Sequence, residues 1–152
     1  MLELPHTVIG ATIASKIPNP LISLPLAFLS HFVLDLVPHW NPDLYTEAKN
    51  NHISPRSKLI ILGDVLLSLA FGFGVAYQAL PNLRQAAVVI LASFLAVVLD
   101  VVEGFYFFLG IRHPLLLDLI KFQHRHQKKV PLISGLLTQV VTILLSLYIL
   151  RS

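Results

Sequence analysis

The chain has 152 residues, 55% hydrophobic and 12% charged, with a net charge of +3 and no cysteine. A soluble domain carries about 25% charged residues, so this composition, with a mean hydropathy of +0.75, points to one integral membrane domain over residues 1–152. The missing cysteines exclude disulfides, thiolate metal sites and thiol nucleophiles. The basic residues are scattered through loops, which speaks for lipid head groups and against a nucleic-acid partner.

Residues 1–10 lack a basic stretch and a small-residue cleavage site, so no removable signal is expected. Residues 5–17, PHTVIGATIASKI, read as a helix too short to cross a bilayer comfortably. Its Gly10, Ala11, Ala14 and Ser15 permit close helix packing. The PNP turn at 18–20 joins it to a short span over 20–38, interrupted by Pro25, and the two form a hairpin. A polar connector over 39–58 begins HWNPDLY and ends in SPRS, the cap of the next helix. Residues 59–80 are long enough to span, since the hydrocarbon core takes roughly 20 helical residues. Residues 85–110 form another span, and 131–150 a last one between Pro131 and Arg151. The connector at 111–130 holds HPLLLDLIKF, a short amphipathic interfacial helix, and then QHRHQKK. The expected fold is all-α: a polytopic helical membrane bundle with an N-terminal helical hairpin, three further spans and a short interfacial helix.

The positive-inside rule orients this bundle. The two connectors carry Lys49, Arg56, Lys58, Arg112, Lys121, Arg125, Lys128 and Lys129, against Lys16, Arg84 and Arg151 elsewhere. The connectors therefore face the cytoplasm, as expected of a prokaryotic inner-membrane protein. Every histidine and every carboxylate at membrane depth then falls on the cytoplasmic side. The other half offers little beyond Ser15, Ser68, Thr138 and Gln139.

Ionisable groups at membrane depth are costly and mark binding sites. His31 and Asp35 are four apart, on one helix face. Neutral imidazole and carboxylate are ligands of a divalent metal, zinc first. The alternative is a His–Asp pair that hydrogen-bonds within the bundle. His6 opens the first helix, and the hairpin returns it beside His31 as a further ligand or as a cap. His39 completes the site or anchors a helix end with Trp40. Asp64 needs a partner: a metal, a metal-bound histidine, or a salt bridge to Lys58 or Arg125. Asp100 and Glu103 are three apart, candidates for ligands, for the base that positions water, or for partners of Arg112. His124 is the ligand candidate of the late connector, ahead of His126, and His52 and His113 read as loop residues.

His6-Thr-Val-Ile-Gly10, the stretch SHFVLDLVPHW and the late His124-Arg125 resemble the small inner-membrane metal-dependent hydrolases of the LexA-binding and YbcI-like group. The HxxxD element is also similar to the paired His and Asp ligands of zinc-dependent phospholipase C. The chain departs from the first group in lacking its PDxD motif, and HRHQKK stands where that group has a His-Gly-Thr-His-Ser run. The expected site is zinc or a two-metal pair held by His6, His31, Asp35 and one or more of Asp64, Asp100 and His124, with Glu103 or Asp100 as base. The expected function is a membrane-embedded metal-dependent hydrolase acting near the cytoplasmic face on a lipid-derived phosphoester. The alternatives are a cation- or proton-binding transporter and a non-catalytic membrane scaffold.

Overall fold

A computed structural model describes residues 1–50 and 52–152. The described residues form seven helices: α1 (Glu3–Lys16), α2 (Pro20–Asp35), α3 (Leu44–Lys49), α4 (Pro55–Gln78), α5 (Leu83–Phe108), α6 (Pro114–His126) and α7 (Leu132–Arg151). The only β pairing among them is an isolated parallel bridge between His39 and Lys129.

The helix starts are set by short polar caps that accept otherwise unpaired backbone N–H groups. Asn19 accepts from Leu21, Ser54 from Ser57 and Asn82 from Gln85. The Ser54 cap, followed by Pro55 at the first helical position, starts α4 one turn before the apolar run at 59. Asp43 caps α3, a short helix in the first connector that hydropathy did not show. The interfacial helix continues through His126, beyond the apolar stretch that announced it.

Helix α1 sits at the centre of the bundle and packs against α2, α4, α5 and α7. About 21 Å long at 1.5 Å per residue, it is built of small residues, and Val8, Ala11 and Ala14 are fully buried. Gly10 marks the closest approach: a Cβ there would stand 2.6 Å from the Ala92 carbonyl oxygen of α5 and 2.9 Å from the Ala96 Cβ. Without a driving force from water, helices associate through such close backbone contact. Around this core, α4, α5 and α7 are three helices long and apolar enough to cross a membrane. They turn Leu66, Leu91, Leu137 and Leu144 outward.

The two connectors lie side by side at one end of the bundle. The His39 N–H donates to the Lys128 carbonyl and the Val130 N–H to the His39 carbonyl, both at 3.1 Å. Lys129 pairs with Asp43 at 2.9 Å. Helix α7 closes against this join through Gly135, where a Cβ would collide with the Trp40 backbone nitrogen.

Candidate metal centre

Three elements deliver the central side chains. His6 comes from the first turn of α1, His31 from the last turns of α2 and Asp100 from α5. Both histidines are 0% exposed. Their rings stack with centroids 4.4 Å apart and planes 21° from parallel. One nitrogen of each histidine and one Asp100 oxygen lie within 4.8 Å of one another. Donors about 2.1 Å from a tetrahedral ion stand about 3.4 Å apart, so closing the set on a metal takes an inward shift of up to about 1.4 Å.

The hydrogen bonds around His31 set its chemistry. Its Nδ1 donates to the Ala96 carbonyl at 2.9 Å. In the neutral ring that leaves Nε2 with a lone pair. Three oxygens face that lone pair: Gln123 Oε1 at 3.2 Å, Asp35 Oδ2 at 3.5 Å and Asp100 Oδ1 at 3.9 Å. A second proton on that nitrogen, a turned Gln123 amide or a bound cation each resolves this convergence of acceptors. The backbone carbonyl on the far nitrogen is the usual support for a metal-binding histidine. His6 has no hydrogen-bond partner on either buried ring nitrogen, and Asp100 Oδ2 and Glu103 Oε1 are likewise unpartnered. A divalent ion held by His6, His31 and Asp100 would satisfy several of these atoms at once, and neutral nitrogens with a carboxylate are a donor set that zinc accepts.

Asp35 borders this trio. Its Oδ1 lies 3.4 Å from His6 Nε2 and 2.6 Å from the Met1 nitrogen, and its Oδ2 accepts from Gln127 at 3.3 Å. Asp64 stands elsewhere: it accepts from the Glu3 and Leu4 backbone N–H groups at 2.5 and 3.1 Å, capping the first turn of α1. That is the partner its depth demanded, and neither Lys58 nor Arg125 is involved. His124 is half-buried and stacks on Tyr45 with centroids 4.6 Å apart, away from the trio. His126 is exposed and bonds its own helix at Phe122. His113 caps α6, accepting from Leu115, and Arg112 lies over the Tyr106 ring rather than on Asp100 or Glu103.

A cavity of about 320 Å³ opens beside the trio, which lends it Asp100. Its polar lining includes Glu3, Asp64, Glu103 and Gln123, its apolar wall Ile61, Val65, Val101, Phe107 and Phe108, and its rim Tyr45, His124 and Lys129. His39, outside the spanning segments, is buried, which pushes its imidazole down to about 4 and keeps it neutral. Its Nδ1 donates to the Val37 carbonyl at 2.8 Å.

Several residues in the site were not singled out by sequence. Gln123 is 4% exposed, meets His31 through its oxygen and leaves its amide nitrogen without a partner. A neutral glutamine just before His124-Arg125 carried no signal except its place on the buried face of α6. Thr138 and Gln139, expected in the far half, lie at the connector end. Thr138 donates to the Pro38 carbonyl at 2.6 Å, and Gln139 donates to the Trp40 carbonyl at 2.7 Å and accepts from the Leu2 N–H at 3.1 Å. They occupy the second turn of α7, which enters the bundle from the connector side.

No protein-family profile, curated protein or solved structure matches the chain.

Proposed function

We propose that the protein is an integral membrane metal-dependent hydrolase, with its site at the cytoplasmic face and its substrate drawn from the lipid phase. The observation that carries this reading is the convergence of His6, His31 and Asp100, with Nδ1 of His31 committed to a carbonyl and neither ring nitrogen of His6 hydrogen-bonded, its Nε2 lying 3.4 Å from Asp35 Oδ1. The bias of Lys and Arg to the connectors supports the orientation, N-terminal hairpin included. The resemblance to inner-membrane hydrolases supports the chemistry.

In this reading His6, His31 and Asp100 hold a divalent ion, zinc first, with Asp35 beside them. The ion supplies Lewis-acid activation of water and of the scissile phosphoryl or acyl group. Glu103, three residues from Asp100 on the same helix, accepts the proton of the attacking water and returns it to the leaving group. The fixed Ala96 contact keeps His31 in one tautomer through the cycle. The cavity places a polar end against the carboxylates while its apolar wall meets the chain of a lipid. Asp64 holds α1, and with it His6, in register. His124 works at the rim. Polar groups confined to one end of the bundle favour this reading over a transport path through both leaflets.

The test is turnover by the purified protein reconstituted in bilayers of mixed phospholipids, followed by mass spectrometry of the lipid extract. The expected outcome is a hydrolysis product that disappears on chelation, returns with zinc, and is absent in His31→Ala and in Glu103→Gln. A product insensitive to chelation and to both substitutions would overturn it.

A further inference from the structure

The trio lies deeper than the phosphate layer of a bilayer. Two hairpins of the bundle turn at one level: Pro18, Asn19 and Pro20 meet Asn82, Arg84 and Gln85 around one surface depression, and Gln85 donates to the Ala14 carbonyl at 2.8 Å. Lys16, Asn19, Asn82 and Arg84 are the polar groups that mark the far edge of the membrane there. From that edge Asp100 is 16 residues beyond Arg84, His31 is 11 beyond Pro20 and His6 is 10 before Lys16. At about 1.5 Å per residue the three helices rise about 24, 17 and 15 Å to the trio, and tilt only shortens the rise across the membrane. Gln139, which accepts from Leu2 just ahead of α1, is 12 residues before Arg151, about 18 Å by the same measure. The hydrocarbon core is about 30 Å thick. The trio therefore sits about 6 Å or more inside its cytoplasmic edge. A lipid's carboxylic esters stand at that edge, and its phosphate stands outside it in the head-group layer.

We infer that the bond hydrolysed is the carboxylic ester that joins an acyl chain to its lipid, and not the phosphoester. This rests on the hydrolase reading for the attacking water. A neutral carbonyl reaches this depth at a lower desolvation cost than a phosphate anion. The charge of the cavity points the same way. Its lining carries the carboxylates of Glu3, Asp64, Asp100 and Glu103, and among the described residues no arginine lines it. Its two ammonium groups are held by carboxylates, Met1 by Asp35 at 2.6 Å and Lys129 by Asp43 at 2.9 Å. A phosphate anion there meets like charge, and a neutral ester does not. Ile61, Val65, Val101 and Phe107 wall the same space. The methylenes of an acyl chain adjoin an ester carbonyl and suit such a wall, whereas glycerol and a polar head flank a phosphoester. Water adds to the carbonyl carbon, and the bond from that carbon to the glycerol oxygen breaks. The proton that Glu103 takes from the water passes to the departing oxygen, leaving a fatty acid and a lysolipid. At about 320 Å³ the cavity admits the ester and the first carbons of its chain. A protein helix, about 10 Å across, does not enter it.

Two readouts on the full-length protein test this. The chain has no cysteine, so a spin label on Val33→Cys or on Leu66→Cys is unique. Val33 lies on α2 between His31 and Asp35, and Leu66 lies on α4 two residues from Asp64. Both face outward, at 63% and 58% exposure. Power saturation of each label in bilayers, with oxygen against a water-soluble nickel chelate, reads its depth. Both labels are expected inside the hydrocarbon core, and labels at head-group depth overturn the inference whether or not metal is bound. In the second readout the zinc-loaded wild type is reconstituted in mixed diacyl phosphatidylethanolamine and phosphatidylglycerol, or in their dialkyl ether counterparts, which keep the phosphoester and lack the carboxylic esters. Fatty acid and lysophospholipid are expected from the diacyl lipids and no product from the ether lipids. Release of diacylglycerol, or cleavage of the ether lipids, overturns the inference and leaves the hydrolase reading standing. No product from either set overturns both together.

Discussion

Replacing Gly10 by alanine tests the link between packing and site. Gly10 is four residues after His6, on the same face of α1. By helix propensity alone the change stabilises, by about 1 kcal/mol. The new Cβ, however, stands 2.6 Å from the Ala92 carbonyl oxygen. An ordinary carbon–oxygen contact is about 3.3 Å or more, so α5 must withdraw from α1 by about 0.7 Å. A backbone oxygen cannot rotate out of the way, and overpacking of this kind costs about 1–3 kcal/mol. The net expectation is a loss of up to about 2 kcal/mol. The consequence for the site is larger than that figure suggests. Helix α5 carries Ala96, which fixes His31, and Asp100, which joins the trio. A functional constellation tolerates only about 0.5 Å of displacement, and disturbing the support of a ligand costs about 10–100-fold in metal affinity. Zinc affinity is measured by competition with a chromophoric chelator, and stability by thermal unfolding in bilayer discs. Gly63→Ala and Gly74→Ala are controls, since nothing lies within 4 Å of a Cβ at either position. Gly10→Ala matching these controls in both assays would mean that the α1–α5 contact at Gly10 does not position the trio.

Three other outcomes follow from particular contacts. His39 is neutral and buried, with its imidazole held down at about 4 against an ordinary 6.5. A depressed value means its contribution is complete above about pH 6.5 and is lost as pH falls toward 4. Thermal stability should decline over that window, and His39→Asn, which retains a donor for the Val37 carbonyl, should flatten the decline. Gln139→Leu removes the bonds to Trp40 and Leu2 and should cost about 1–3 kcal/mol in thermal unfolding while leaving α7 helical by circular dichroism. Glu47 accepts from the Ser54 N–H and the Ser57 hydroxyl, which hold its carboxyl below the ordinary value. That stability is present above the ordinary glutamate range and fades as pH falls through it. In this half-exposed setting Glu47→Gln should cost under about 1 kcal/mol by the same measurement.

Much of the architecture was legible because lipid imposes simple demands. Long apolar runs with proline and asparagine at their ends became α4, α5 and α7, each shifted by no more than about one turn where a cap lay outside the run. Close packing of α1 was legible in Gly10, Ala11, Ala14 and Ser15, whereas its place at the centre of the bundle was not, because a segment too short to cross a bilayer gives no sign of how many neighbours surround it. The site was legible where spacing carried it: His31 and Asp35 on one face, His6 returned beside them by the PNP turn. It was not legible where backbone groups did the work. Asp64 finds two amide N–H groups of α1, a partner with no side-chain signature. Gln123 and Gln139 are neutral, and nothing in hydropathy separates a glutamine buried against a histidine from one in solvent. The isolated bridge at His39 depends on two connectors meeting, 90 residues apart along the chain.

Metal content decides whether His6, His31 and Asp100 hold a divalent ion. The protein purified without chelator is analysed by inductively coupled plasma mass spectrometry, beside His31→Ala and Asp100→Ala, with zinc-edge X-ray absorption on the wild type. About one zinc per chain with two nitrogen donors from imidazole is expected, lost in both variants while each remains folded. Wild-type protein that takes up no stoichiometric metal even after zinc is supplied, or variants that retain it in full, would mean that the trio is not a metal site.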